Sequence, residues 1–189
     1  MCYFVVIRGP LGVGKSTVSD RLAEAIGGDH IYIDRLLEEH GLEEWDEDRI
    51  SLRSFLSANS FGIERAKKVL AQSRPVIFDG NFYWGEAIED LANRLTYKHF
   101  IFTLQAPLSV CIQRDSQRPL PKEGAEPKAG DSLGVEAATQ VYSMVSQVNR
   151  GISIDATGPV DATVAEILRH LGSKAAPRAP KEQPPDRSG

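Results

Sequence analysis

The sequence predicts an α/β domain in three layers: a five-stranded parallel sheet with helices on both faces. Three observations carry that prediction. Five short runs rich in β-branched and aromatic residues alternate with helical patterns over about 170 residues. The central runs are apolar throughout, as strands buried on both faces must be. The first run passes through a glycine-rich loop into a helix, the local form of a right-handed strand-helix-strand crossover.

The elements follow in order. Residues 3–8, YFVVIR, form the first strand, and a helix from Lys15 to Ile26 sets Val18, Leu22, Ala25 and Ile26 on one side before Gly27-Gly28 stops it. HIYID at 30–34 is the second strand, followed by a short helix from Arg35 to His40. Asp46 is the expected N-cap of a long helix reaching Gln72. PVIFD at 75–79 is the third strand and Trp84 to Leu95 an amphipathic helix. KHFIFTL at 98–104 is the fourth strand, and Pro107 suits the first turn of a helix to about Gln117. A helix from Val135 to Asn149, a fifth strand GISID at 151–155 and a helix from Pro159 to Leu171 complete the domain.

Two stretches break the pattern. RPLPKEGAEPKAGD at 118–131 carries prolines, glycines and charges with no apolar periodicity, which predicts a mobile lid over about 114–134. SKAAPRAPKEQPPDRSG at 173–189 lacks the apolar residues to bury a core, so the expected organisation is one domain over 1–171 and a disordered tail over 172–189. With 189 residues, 41% of them hydrophobic, one core is the natural solution.

The net charge of −4 understates the acidity of the body, because the last 18 residues are net basic. Sequence-independent grip on nucleic acid needs a basic face, so a nucleic-acid partner is not expected. No apolar run approaches the roughly 20 residues needed to cross a bilayer, so no membrane association is expected. Cys2 and Cys111 have no CxxC or metal-ligand spacing, and no charged and apolar leader precedes the first strand; a reduced, cytoplasmic setting is expected.

Gly9-Pro10-Leu11-Gly12-Val13-Gly14-Lys15-Ser16 satisfies GxxxxGK[ST] between a buried strand and a helix start. Glycines let backbone N–H groups turn inward, and the helix adds its unpaired N–H groups and positive dipole end. The expected ligand is ATP with Mg²⁺. Lys15 would reach the β- and γ-phosphates, Ser16 would ligate the metal, and Thr17 would touch the α-phosphate side.

On this motif the sequence resembles the P-loop NTPases, and within them the small kinases that include shikimate, gluconate and adenylate kinases and chloramphenicol phosphotransferase. The likeness spans about residues 3–171. No [NT]KxD guanine-reading motif is present, which separates it from the GTPases. The resemblance implies a P-loop kinase fold and transfer of a γ-phosphoryl group to a small-molecule acceptor. A nucleoside or nucleotide kinase, and from another class a non-catalytic ATP-binding switch, are the alternatives.

Asp34 stands at the carboxyl end of the second strand, where a carboxylate can accept the proton of an attacking hydroxyl or cap a helix; in similar kinases an Asp following this strand binds or deprotonates the acceptor. Asp79, after four apolar residues, has the shape of a metal-orienting strand end, and the resemblance to adenylate-kinase-like proteins also lets it touch the acceptor. Gly80 and Asn81 come next, with Tyr83 and Trp84 as further candidates for an acceptor pocket. Arg114 and Arg118 lie four apart, on one face of a continuing helix, where two cations on a closing lid would stabilise the transferred group and touch the nucleotide. The RxxxRPL pattern resembles the lid of shikimate-kinase-like proteins. Ala156, Thr157 and Gly158 match a loop that in relatives reads the adenine. Arg53 is a candidate for an anionic acceptor group, although the acidic EEHGLEEWDED nearby disfavours a highly anionic one. His30, His40, His99 and His170 have no carboxylate at useful spacing and read as surface or strand-end residues.

Overall fold

The computed structural model describes residues 2–122, 125 and 128–172. The expected tail lies, from 173 onward, outside the described residues, as do 123, 124, 126 and 127 of the expected lid.

Strand β1 (Tyr3–Arg8) occupies the middle of a five-stranded parallel sheet with β5 (Val76–Gly80) on one side and β6 (Lys98–Gln105) on the other. Strand β2 (Asp29–Tyr32) closes one edge against β5, and β7 (Ile152–Asp155) closes the other against β6. Phe4 and Val6 of β1 enter one apolar cluster, while Val5 and Ile7 enter the other. This two-sided burial is why the strand is apolar without a break from Phe4 to Ile7. Helices α1 (Lys15–Ile26) and α7 (Val160–Leu171) cover the second cluster. Helices α3 (Leu52–Ala71), α4 (Gly85–Arg94) and α6 (Gly134–Gln147) cover the first. The short helices α2 (Ile33–Glu39) and α5 (Leu108–Asp115) follow β2 and β6. No helix among the described residues is long and apolar enough to cross a membrane.

Three expectations are corrected. The second strand stops at Tyr32, so Asp34 lies in the first turn of α2 instead of on the strand. The helix after Pro107 ends at Asp115, two residues short of the expected end. The long helix is capped by Ser51, whose hydroxyl accepts from Ser54 N at 3.2 Å, and not by Asp46. Asp46 belongs to a small antiparallel hairpin of β3 (Trp45–Asp46) and β4 (Arg49–Ile50), turned through Glu47 at φ 57°. Tyr83 and Trp84, candidates for an acceptor pocket, pin that hairpin. The Tyr83 hydroxyl lies 3.0 Å from Ile50 N, and Trp84 Nε1 donates to Ile50 O at 2.9 Å.

Arg8, the last residue of β1, is fully buried. Its guanidinium donates to Phe82 O (3.3 Å), Thr103 Oγ1 (3.2 Å), Val148 O (2.6 Å) and Val145 O (2.9 Å). Two of these are carbonyls at the C-terminal end of α6, where a cation meets the negative end of the helix dipole. One residue before the glycine loop, Arg8 thus joins β1 to α6 and to the loop after β5. Burial, helped by Arg150, lowers its pKa to about 10, so it keeps its charge at neutral pH.

Candidate active site

The carboxyl ends of β1, β2 and β5 bring the site together, as parallel sheets of this kind do. In the loop leaving β1, Gly12 has φ +73° and Gly14 φ +101°, values that L side chains rarely adopt. A Cβ on Gly12 would run into the Cys111 carbonyl of α5, whereas one on Gly14 would meet nothing within 4 Å. The loop is therefore pressed against α5 on one side and open on the other. The hollow over Gly14 is where an anion can reach the loop amides and the start of α1.

Lys15, the first residue of α1, is buried and donates from Nζ to Pro10 O at 3.0 Å and to Asn81 Oδ1 at 2.9 Å. Burial lowers its pKa against the pull of Asp34 and Asp79. Ser16 and Thr17 are exposed on the first turn of α1. Asp34 is half-buried. Desolvation, reinforced by Asp79 and Glu43 and opposed by Lys15 and Arg118, pushes its carboxyl up to about 6. A carboxylate so poised is still ionised at pH 7 and is a stronger base than an ordinary aspartate.

Asp79, one residue before the end of β5, is 2% exposed, and its Oδ2 faces His30 Nε2 at 3.1 Å. His30 Nδ1 faces Asp20 Oδ1 of α1 at 2.9 Å, and Asp20 also accepts from the Tyr32 hydroxyl. The reading of His30 as a surface or strand-end histidine without a carboxylate partner is thereby corrected. Alternation along β2 turns His30 and Tyr32 to one face, and the parallel register sets Tyr32 beside Asp79. The His30–Asp79 contact joins residues 49 apart, which spacing along the chain does not reveal.

Arg114 and Arg118 line one cavity of about 330 Å³ with Gly12, Val13, Gly14 and Gly158. Arg114 donates to Val13 O at 3.2 Å, Ala156 O at 2.8 Å and Thr157 O at 3.0 Å, cross-linking the glycine loop to the loop after β7. Thr157 turns its hydroxyl and amide toward Asp155. Arg118 lies past the end of α5 and pairs with buried Asp115 at 3.3 Å. The other oxygen of Asp115 accepts from Ser132 Oγ at 2.9 Å and Leu133 N at 3.2 Å, tying the two ends of the expected lid. Shortly before Ser132, Ala129 N donates to Glu38 Oε2 of α2 at 3.0 Å. Gly80 is buried beneath this edge. Arg53 is apart in character, its side chain 83% exposed and 3.9 Å from Glu44.

A family model described as an AAA domain matches residues 4–142. Shikimate kinases of two Xanthomonas campestris pv. campestris strains are each 30% identical over 179 residues, covering 87% of this chain and 90% of theirs. Solved structures share the fold. A gluconokinase from Sinorhizobium meliloti 1021 superposes with TM-score 0.59 at 21% identity, over 90% of this chain and 92% of that one. A sugar kinase from Janibacter sp. HTCC2649 gives 0.63 at 18% over 94% and 97%. The Deinococcus radiodurans tunicamycin resistance protein gives 0.66 at 17% over 94% and 100%.

Proposed function

The chain belongs to the AAA domain family of P-loop proteins and to its small-molecule kinases, and from that premise we propose that it transfers the γ-phosphoryl group of ATP to a hydroxyl of a small acceptor. One observation carries the reading. Lys15 of the glycine loop is bonded to Asn81 of the loop after β5, and Asp34, its carboxyl raised by burial, stands near enough to feel the charges of Lys15, Asp79 and Arg118. A phosphate cradle, a raised carboxylate base and a balancing cation therefore share one sheet edge.

The residues fit a nucleotide with its metal. The cavity beside Arg114 and Gly158 takes the base side, and the hollow over Gly14 takes the phosphates. Among the described residues no three His, Cys, Asp or Glu side chains converge into a cage. That suits Mg²⁺, which is commonly held by one or two protein groups and the phosphates themselves; Ser16 and Asp79 are the groups here. When bound, Mg²⁺ neutralises charge on the β- and γ-phosphates.

Lys15 exchanges its Pro10 and Asn81 partners for phosphate oxygens, and the loop amides fix their orientation. Asp34 accepts the proton of the acceptor hydroxyl as its oxygen bonds to the γ-phosphorus and the bond to the β-phosphate oxygen breaks. Arg118 balances the charge spread over the transferred group. Arg114, committed to three carbonyls, holds the glycine loop against the base loop. Asn81 and Gly80 border the acceptor side.

The test is ADP release by the purified protein with Mg-ATP, with and without pooled alcohols, sugars, antibiotics and nucleosides, Lys15→Ala serving as the blank. A pool that raises turnover well above the acceptor-free rate supports the reading. Tight ATP binding with no pool above the blank removes it in favour of a nucleotide-binding switch.

A further inference from the structure

From the chain His30–Asp20–Tyr32 behind Asp79, we propose that His30 is a positioning residue of the phosphoryl-transfer site, anchored by Asp20, that fixes Asp79 for binding of the metal-nucleotide. His30 is 8% exposed, an expensive place for a side chain with two polar ring atoms unless both are partnered. Both are, and each faces a carboxylate: Nε2 faces Asp79 Oδ2 at 3.1 Å and Nδ1 faces Asp20 Oδ1 at 2.9 Å.

The ring cannot swing. It stacks on Tyr32 with centroids 3.6 Å apart and planes 30° apart, and the Tyr32 hydroxyl bonds the same oxygen of Asp20. Arg35 lies over the other part of this cluster, 4.1 Å from the Tyr32 ring centroid. Asp79 therefore has one oxygen held from behind, which restricts its rotamer and leaves the second for whatever the site binds.

Position gives this a functional sense. Asp20 lies on α1, one turn beyond Ser16, while His30 and Asp79 lie on neighbouring strands. The chain of contacts thus fixes Asp79 relative to the helix that begins with Lys15 and Ser16. Groups that orient a metal-binding side chain in this way typically govern affinity or activity by about 10–100-fold.

The inference rests on the phosphotransfer reading only for its kinetic consequence, so its first readout is binding. Mn²⁺ affinity in the presence of a non-hydrolysable ATP analogue is measured by electron paramagnetic resonance on the full chain. Two variants separate orientation from packing. In His30→Gln the amide nitrogen falls near the place of Nε2 and keeps a donor toward Asp79. In His30→Asn it falls near Nδ1 and loses that donor. His30→Asn is expected to weaken Mn²⁺ by about tenfold or more, and His30→Gln to stay within about threefold of the parent. Asp20→Ala, at the 58% exposed end of the chain, is expected to weaken it in the same direction by less.

Kinetically, His30→Asn is expected to raise the half-saturating Mg²⁺ concentration and lower kcat while KM for the acceptor stays put. Equal affinity in all three variants overturns the proposal. So does equal weakening in the Gln and Asn variants with matching losses of melting temperature, the mark of a purely structural histidine. If neither His30 variant folds, Asp20→Ala decides alone: unchanged Mn²⁺ affinity there overturns the proposal. A wild type that binds Mn²⁺-nucleotide without turnover fails the phosphotransfer reading and leaves these binding outcomes intact.

Discussion

Replacing Asp34 by asparagine sets the catalytic role of the residue against its cost to the fold. Its carboxyl is raised from 3.8 to about 6. The folded protein therefore binds this proton more tightly than the unfolded chain, and stability falls as pH rises from about 4 to about 6. At 1.36 kcal/mol per pK unit the full penalty is about 3 kcal/mol above that window. Because the side chain is half-buried, solvent screening trims it to roughly 1–3 kcal/mol. Asparagine removes the charge with almost no change of shape. At pH 7.5 Asp34→Asn is expected to melt roughly 3–10 °C above the parent, while below pH 4 the two should coincide. In the same variant, loss of the base is expected to lower kcat by about 10²–10⁴. The assay is thermal unfolding at pH 3.5, 5 and 7.5, beside a pH-rate profile of the wild type, whose activity should rise through about pH 6. A variant less stable than the parent at pH 7.5, or a stability gap that ignores pH, refutes the reasoning.

Arg8→Met leaves the carbonyls of Phe82, Val145 and Val148 without their donor; an expected loss of about 2–4 kcal/mol is read by denaturant unfolding. Arg114→Lys cannot span three carbonyls from one planar fork, so KM for ATP is expected to rise by about tenfold with a smaller change in kcat, measured by steady-state kinetics. Ser51→Ala removes the cap of α3 and is expected to cost about 1 kcal/mol in thermal unfolding, with kcat and KM unchanged.

The parts legible in the sequence are those set by local pattern. The central strands carry unbroken apolar runs, FVVI in β1, VIF in β5 and FIF in β6, which makes them readable, and the glycine loop is defined by its own spacing. Ser51 lost to Asp46 as the expected cap because EEHGLEEWDED looks like solvated chain. The hairpin hidden there is held by Ile50 against Tyr83 and Trp84, more than 30 residues away. His30 reads as a strand-end histidine for a similar reason, since its two carboxylates come from other elements, α1 and β5. Arg8 carries no signal of burial in sequence; a terminal arginine reads as the polar end of a strand until three other elements turn their oxygens on it. The nearness of Asp34 to Lys15 was recoverable, because parallel strands deliver their carboxyl ends to one edge.

The most direct measurement follows the γ-phosphoryl group. ATP labelled with heavy oxygen in the γ-phosphate is incubated with the protein, Mg²⁺ and the acceptor pool that most stimulates ADP release, and products are resolved by mass spectrometry. The label is expected in a phosphorylated acceptor, in step with ADP, and is expected to be lost in both Lys15→Ala and Asp34→Asn. Label found only in inorganic phosphate, or transfer that survives Asp34→Asn undiminished, contradicts it.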